Sequence, residues 1–328
     1  MFGSVRKLGL PFIIAWVSVA GAFGPTGEVQ GPSRPDSPAL AVTEPTQAAS
    51  LSVTRGLCSQ HGTLAVAILE TNQIVIAIDS RMTTKERGKN NRVQDGMEKV
   101  VGLSSHVAFF VTGTVALSNR RETNSLLVIA KALAAEWQKE NRKLQLEELA
   151  NEFKARASNA LSRLTMGDIN ALHLDSLKQG GTNLFTAAFA GQDTDATLKL
   201  FRVICSTAVE TNRGYIDARL TFEVREEKRR GKQWFLFLGS SGAFERGMTD
   251  PKSPLAPAIR QIRSSRALLA EPIAAALVDV GIRHYGDEPE SPVGYPIFVY
   301  TLDADGFRLT RKVNKGEGVP FDKSKQGK

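Results

Sequence analysis

The chain has 328 residues, 42% of them hydrophobic and 23% charged, which is enough apolar material for one large core or two smaller ones. Its net charge of +8 comes from basic residues spread along the chain, and the one cluster, Lys228-Arg229-Arg230, has no interleaved aromatics, which argues against a nucleic-acid partner. Two cysteines, Cys58 and Cys205, make no disulfide framework, and four scattered histidines with no Cys-x-x-Cys or His-x-x-x-His pattern argue against metal ligation; no cofactor is expected.

Residues 1–22 read as a secretory signal peptide. Arg6 and Lys7 form its positive end, residues 8–19 its apolar run, and Ala20-Gly21-Ala22 a small-residue cleavage site. The apolar run is short for a membrane span of about 20 residues. Export to the periplasm or the extracellular space is expected, with residues 8–22 as a membrane anchor only if the segment stays uncleaved. Residues 23–52 are rich in Pro, Gly, Ser and Ala without apolar periodicity, and residues 23–62 together read as a linker or propeptide.

Two β-branched apolar runs, 64–69 and 74–78, flank the polar Glu70-Thr71-Asn72-Gln73. This is the pattern of a β-hairpin with strands buried on both faces. Such a hairpin brings Thr63, which follows Gly62 at its mouth, next to Asp79-Ser80-Arg81 at its end. Residues 82–97 read as a polar, basic loop. Strands follow at 99–103 and 107–111, with Ser118 as a helix N-cap. Helical spacing runs over 126–137, and a second amphipathic helix over 146–164. Residues 165–181 read as irregular.

A second strand set occupies 184–191, 197–204, 218–223 and 234–238, the last followed by Gly239-Ser240-Ser241-Gly242-Ala243. The basic cluster falls in a solvated turn of this set, and Cys205 reads as a small buried residue. Helices at 255–262 and 272–284 precede a strand at 297–302, a turn at 303–306 and a strand at 307–309. The folded domain is placed at 63–311, with a basic flexible tail at 312–328. Blocks of strands and paired helices in this order make an α+β fold packed in layers.

The run from Gly62-Thr63 through two apolar strands to Ala77-Ile78-Asp79-Ser80-Arg81-Met82-Thr83 resembles the opening of a proteasome β-type subunit, a family of N-terminal nucleophile (Ntn) hydrolases. The likeness continues in Glu98-Lys99-Val100 and in Val111-Thr112-Gly113, with weaker echoes as far as Gly306. It implies a four-layer αββα sandwich, in which two antiparallel sheets lie between helix pairs. It also implies a proteasome-like threonine protease or amidohydrolase that cleaves itself at Gly62-Thr63 and works as a homo-oligomer on a peptide or other amide substrate.

A threonine hydroxyl is a weak nucleophile and needs a base nearby. Once Thr63 opens the chain, its own α-amine, titrating at about pH 8, is partly neutral and can take the hydroxyl proton. By the same resemblance Lys99 and Asp79 tune that amine and hydroxyl, and the Gly113 amide serves the oxyanion of the tetrahedral intermediate. Ser240 is the candidate from the Gly-Ser segment. Asp287 and Ser291 are the candidates from Asp287-Glu288-Pro289-Glu290-Ser291-Pro292-Val293-Gly294, which lacks the family's glycine pair.

Departures from the pattern keep a second reading open. Thr63-Leu64-Ala65 stands where the family has a run of threonines, and Leu117 where it often has an aspartate. A register shifted by an insertion in the turn puts His61 at the nucleophile position, and the chain is then a non-catalytic αββα binding or assembly module of the cell envelope. The two readings differ at the chain end. An enzyme exposes the Thr63 amine, whereas a binding module keeps residues 53–62 ordered. Other hydrolase patterns fit less well: Gly239 to Gly242 is not a Gly-x-Ser-x-Gly elbow, and a Cys58 nucleophile leaves the spacing of Thr63, Asp79 and Lys99 unused.

Overall fold

A computed structural model describes residues 57–86, 91–118, 123–142, 145–178, 181–212, 215–229, 231–239, 250–253, 255–264, 269–286 and 291–317. The signal segment, most of the linker, Ser240, Asp287 and residues 318–328 lie outside these.

The described chain is α+β, with two antiparallel sheets. The smaller holds β2 (Leu64–Leu69), β3 (Ile74–Asp79), β12 (Trp234–Gly239), β13 (Ile297–Asp303) and β14 (Gly306–Val313), in the order β12-β2-β3-β13-β14. The larger holds β1 (Cys58–His61), β4 (Met82–Glu86), β5 (Arg92–Gln94), β7 (Val107–Ser118), β9 (Asn183–Gln192), β10 (Leu198–Asn212) and β11 (Tyr215–Glu226), in the order β11-β10-β9-β7-β1-β4-β5. Two further strands, β6 (Val100–Ser104) and β8 (Thr123–Ser125), also pair with β7. The helices are α1 (Leu126–Lys139), α2 (Leu146–Leu161), α3 (Met166–Lys178), α4 (Ala256–Ser264) and α5 (Ala270–Tyr285).

Alternation along the strands sorts the core into three clusters. Leu64, Val66, Ile68, Val75 and Ala77 pack with Ile273, Leu277 and Val278 of α5 and Ile259 of α4. The intervening Ala65, Ala67, Ile74, Ile76 and Ile78 pack with Ala108, Phe110, Ala188, Ala190 and Leu200 of the larger sheet. On that sheet's other face, Phe109, Val111, Phe185 and Phe189 pack with Leu133 and Trp137 of α1, Leu149 and Phe153 of α2, and Leu172 of α3. Every residue of β2 and β3 is therefore buried, as their unbroken apolar runs require. One cluster lies between the sheets and one between each sheet and its helices, which is compatible with a sandwich.

The structure departs from the sequence reading at several places. Within residues 82–97, read as loop, Met82–Glu86 and Arg92–Gln94 form β4 and β5, because β4 finds a partner in β1, a strand drawn from the linker. Residues 165–181, read as irregular, contain α3. Thr165 starts it: its Oγ1 accepts from the Asp168 N–H at 3.2 Å, and Asp168 Oδ2 accepts from the Thr165 N–H at 3.1 Å. Ser118 is not a helix cap but the last residue of β7, which runs on past Gly113 to pair with β1 and β8; α1 begins at Leu126. The second amphipathic helix ends at Leu161. Ordered strand extends beyond both ends of 63–311, since β1 precedes Gly62 and Val313 pairs with Ile297.

Candidate active site

Between β1 and β2 the chain passes from the larger sheet to the smaller one, and Gly62-Thr63 is the crossing. Both edges of β1 are held: His61 lies opposite Thr83 of β4 and Thr114 of β7. Gly62 has φ +107°, and a Cβ there would come within 2.5 Å of the Pro292 carbonyl oxygen, so only glycine fits the crossing.

Thr63 is 1% exposed, and its hydroxyl donates to the Gly62 carbonyl oxygen. Lys99 enters from the start of β6, and its Nζ donates to the same oxygen at 3.0 Å. It also donates to the Arg81 carbonyl and to Asp79, at 3.2 Å to Oδ1 and 3.3 Å to Oδ2. Asp79, the last residue of β3, further accepts from three backbone N–H groups: Leu64 at 2.7 Å, Arg81 at 3.0 Å and Gly294 at 3.3 Å. The Lys99 and Asp79 side chains are fully buried. Burial pushes the Asp79 carboxyl above its ordinary range and the Lys99 ammonium below its own, while the attraction between the two opposes both shifts.

Gly113 stands where β7 changes partner. Residues 107–113 pair with β9, and pairing with β1 begins at Thr114, opposite His61. Its φ is +80°, and a Cβ would come within 2.6 Å of the Leu184 carbonyl oxygen. Ser291 is buried, and its Oγ accepts from the Val293 N–H at 3.3 Å. Its neighbours reach the site through their backbones: Pro292 against Gly62, Gly294 on Asp79 and on the Ser80 N–H. Gly239 packs on the Thr63 carbonyl.

Thr63, Asp79 and Lys99 are thus joined around the Gly62 carbonyl, whereas Gly113 pairs with Phe185 and adjoins Thr114, the partner of His61. The contributions that residue types did not reveal are largely main-chain ones, from Leu64, Arg81, Pro292 and Gly294. His61, the residue that the shifted register puts at the nucleophile position, lies in β1 beside the crossing. It is 8% exposed, and among the described residues its Nε2 has no hydrogen-bond partner. Burial lowers its pKa to about 4, helped by Lys85 of β4 and opposed by Asp175 of α3.

A hydroxyl and a buried ammonium that donate to one carbonyl oxygen bring a nucleophile type and a cation to the same peptide group, the cation on the oxygen where addition to that carbonyl would develop negative charge. Among the described residues, no three His, Cys, Asp or Glu side chains gather to hold a metal ion, and no helix is long and apolar enough to cross a membrane. No protein-family model matches the chain, and no curated protein sequence does either.

Proposed function

We propose that this chain is an exported N-terminal threonine hydrolase of the Ntn type, with a four-layer αββα fold, that cleaves itself between Gly62 and Thr63 and then hydrolyses peptide or other amide bonds. The observation that carries the reading is the convergence on one carbonyl oxygen of the Thr63 hydroxyl and the Lys99 ammonium, with Asp79 fixed beside them.

In self-cleavage the Thr63 Oγ bonds to the Gly62 carbonyl carbon, and the bond from that carbon to the Thr63 nitrogen breaks. The hydroxyl proton ends on the freed amine. Water then opens the ester, giving a Gly62 carboxylate and restoring the hydroxyl. The processed chain repeats the same addition on a substrate amide, with its own α-amine as base.

One observation favours the alternative, a non-catalytic binding or assembly module: residues 58–61 are held on both edges within the larger sheet. A peptidyl epoxyketone, which needs both a hydroxyl and a free α-amine on one residue, separates the two readings. A single adduct on Thr63 found by peptide mass mapping, and absent from Thr63→Ala, supports the hydrolase. No adduct on protein whose chain begins at Thr63 removes the N-terminal threonine mechanism.

A further inference from the structure

Lys99 is held by more than Asp79, and the additional hold leads outward to an ion pair. The Arg81 carbonyl accepts from Lys99 Nζ, and the Arg81 N–H donates to Asp79 Oδ2 at 3.0 Å, so one residue's backbone grips both buried charges. The Arg81 side chain forms a two-pronged pair with Asp95: Nε to Oδ1 at 2.7 Å and Nη2 to Oδ2 at 3.0 Å. The guanidinium lies directly against Gly294, whose N–H also holds Asp79. The segment carrying Asp95 is tied to the same strand end, by Gly96 N–H to Ser80 Oγ and Met97 N–H to the Ser80 carbonyl, both 3.0 Å. That segment leads straight into Lys99.

We infer that Asp95, acting through Arg81, is a positioning residue for Lys99, holding the Arg81 carbonyl on the ammonium and offsetting the guanidinium charge next to it. The inference rests on the reading that Lys99 assists cleavage at Gly62-Thr63. The charged groups facing Lys99 are Asp79 from β3, Arg81 from the β3–β4 link and Asp95 from the β5–β6 link; Asp95 raises the Lys99 pKa and Arg81 lowers it. The Asp95 side chain is 46% exposed on the wall of a cavity of about 500 Å³, whereas that of Arg81 is 7% exposed, so a change at Asp95 reaches Lys99 without opening the core.

The test is the first-order rate of self-cleavage of newly translated full-length chain, followed on gels from pH 5.5 to pH 9.5. Wild type, Asp95→Asn, Asp95→Glu, Arg81→Met and Thr63→Ala are compared, each folded form being checked by thermal melting. Asp95→Asn is expected to slow cleavage at least about tenfold and to move the alkaline fall in rate to lower pH by at least about half a unit. Arg81→Met is expected to move that fall to higher pH, and Asp95→Glu to restore the wild-type profile. Opposite movements from removing opposite charges are not what a merely structural pair produces. An unmoved alkaline limb in both Asp95→Asn and Arg81→Met overturns the inference; if only one of them folds, its limb alone decides. Failure of the underlying reading shows elsewhere in the same gels. Wild type that never cleaves, or Thr63→Ala that cleaves as fast, removes the reading and this inference with it.

Discussion

The Lys99 ammonium lies 3.0 Å from the Gly62 carbonyl oxygen, a group that cleavage after Gly62 takes away. In the intact chain the three hydrogens of Lys99 are shared among the Gly62 carbonyl, the Arg81 carbonyl and Asp79. Loss of Gly62 leaves one donor to turn toward the Thr63 side, while the other two acceptors stay in place. On the self-cleavage proposed above, the same lysine serves the precursor as a partner of the carbonyl and the processed chain as a partner of the nucleophile.

Lys99→Met is expected to abolish cleavage within detection, a loss of at least about a hundredfold, since it removes a donor to the developing oxyanion. It also leaves Asp79 buried without its ion partner, held by backbone N–H groups alone, which destabilises by about 3–5 kcal/mol. Gel analysis of the precursor and urea unfolding measured against Thr63→Ala report the two effects. A Lys99→Met chain that cleaves at the wild-type rate contradicts the role given to this residue.

Gly62→Ala puts a Cβ 2.5 Å from the Pro292 carbonyl oxygen at a φ of +107°. The leader strand has to shift, and with it the carbonyl that Thr63 and Lys99 share. Cleavage should slow at least about tenfold, because a left-handed backbone strains any L side chain by about 1–2 kcal/mol before the clash is counted. Pulse-chase of the two precursors measures this, and equal rates argue against the crossing geometry as the reactive one.

How much of this was legible in the sequence depends on where the information sits. The hairpin of β2 and β3 was readable because both strand faces are apolar; Thr63, Asp79 and Lys99 were singled out by their spacing along a pattern that resembles a known family, and the structure brings them together around the Gly62 carbonyl. β4 and β5 were not, since Thr83, Thr84 and Lys85 carry no apolar alternation and become strand by pairing with Ser59, Gln60 and His61. α3 was missed although Thr165 and Asp168 spell its start; Gly167 in the first turn and a sparse apolar face hid it. The N–H groups of Leu64, Arg81 and Gly294 left no trace, because a backbone donor has no residue-type signature.

His61 makes the docking of β1 depend on pH. Its pKa is lowered to about 4 in the folded chain from an ordinary 6.5, so the neutral form is the one that docks. The contribution is complete above about pH 6.5 and is lost as pH falls toward 4, amounting to about 3 kcal/mol over that window. Urea midpoints of Thr63→Ala, which keeps its leader attached, should fall more steeply over this range than those of Thr63→Ala with His61→Gln. Parallel curves contradict the burial of a neutral imidazole.

Phe109, Phe153 and Phe189 join α2 to the larger sheet, with ring centroids 4.9 to 5.3 Å apart. Phe153→Ala is expected to destabilise by about 3–5 kcal/mol in urea unfolding. A loss below about 1 kcal/mol contradicts the packing of α2 on this face.

Whether the chain cuts itself at Gly62-Thr63 is read from the intact mass of the purified protein, expressed with its leader, with Thr63→Ala measured beside it. Self-cleavage predicts a wild-type mass that begins at Thr63 and a variant whose mass begins upstream, within or before residues 23–62. Two chains with the same upstream start show that the Thr63 amine never forms, and two chains that both begin at residue 63 show that another protease makes the cut; either result contradicts self-cleavage.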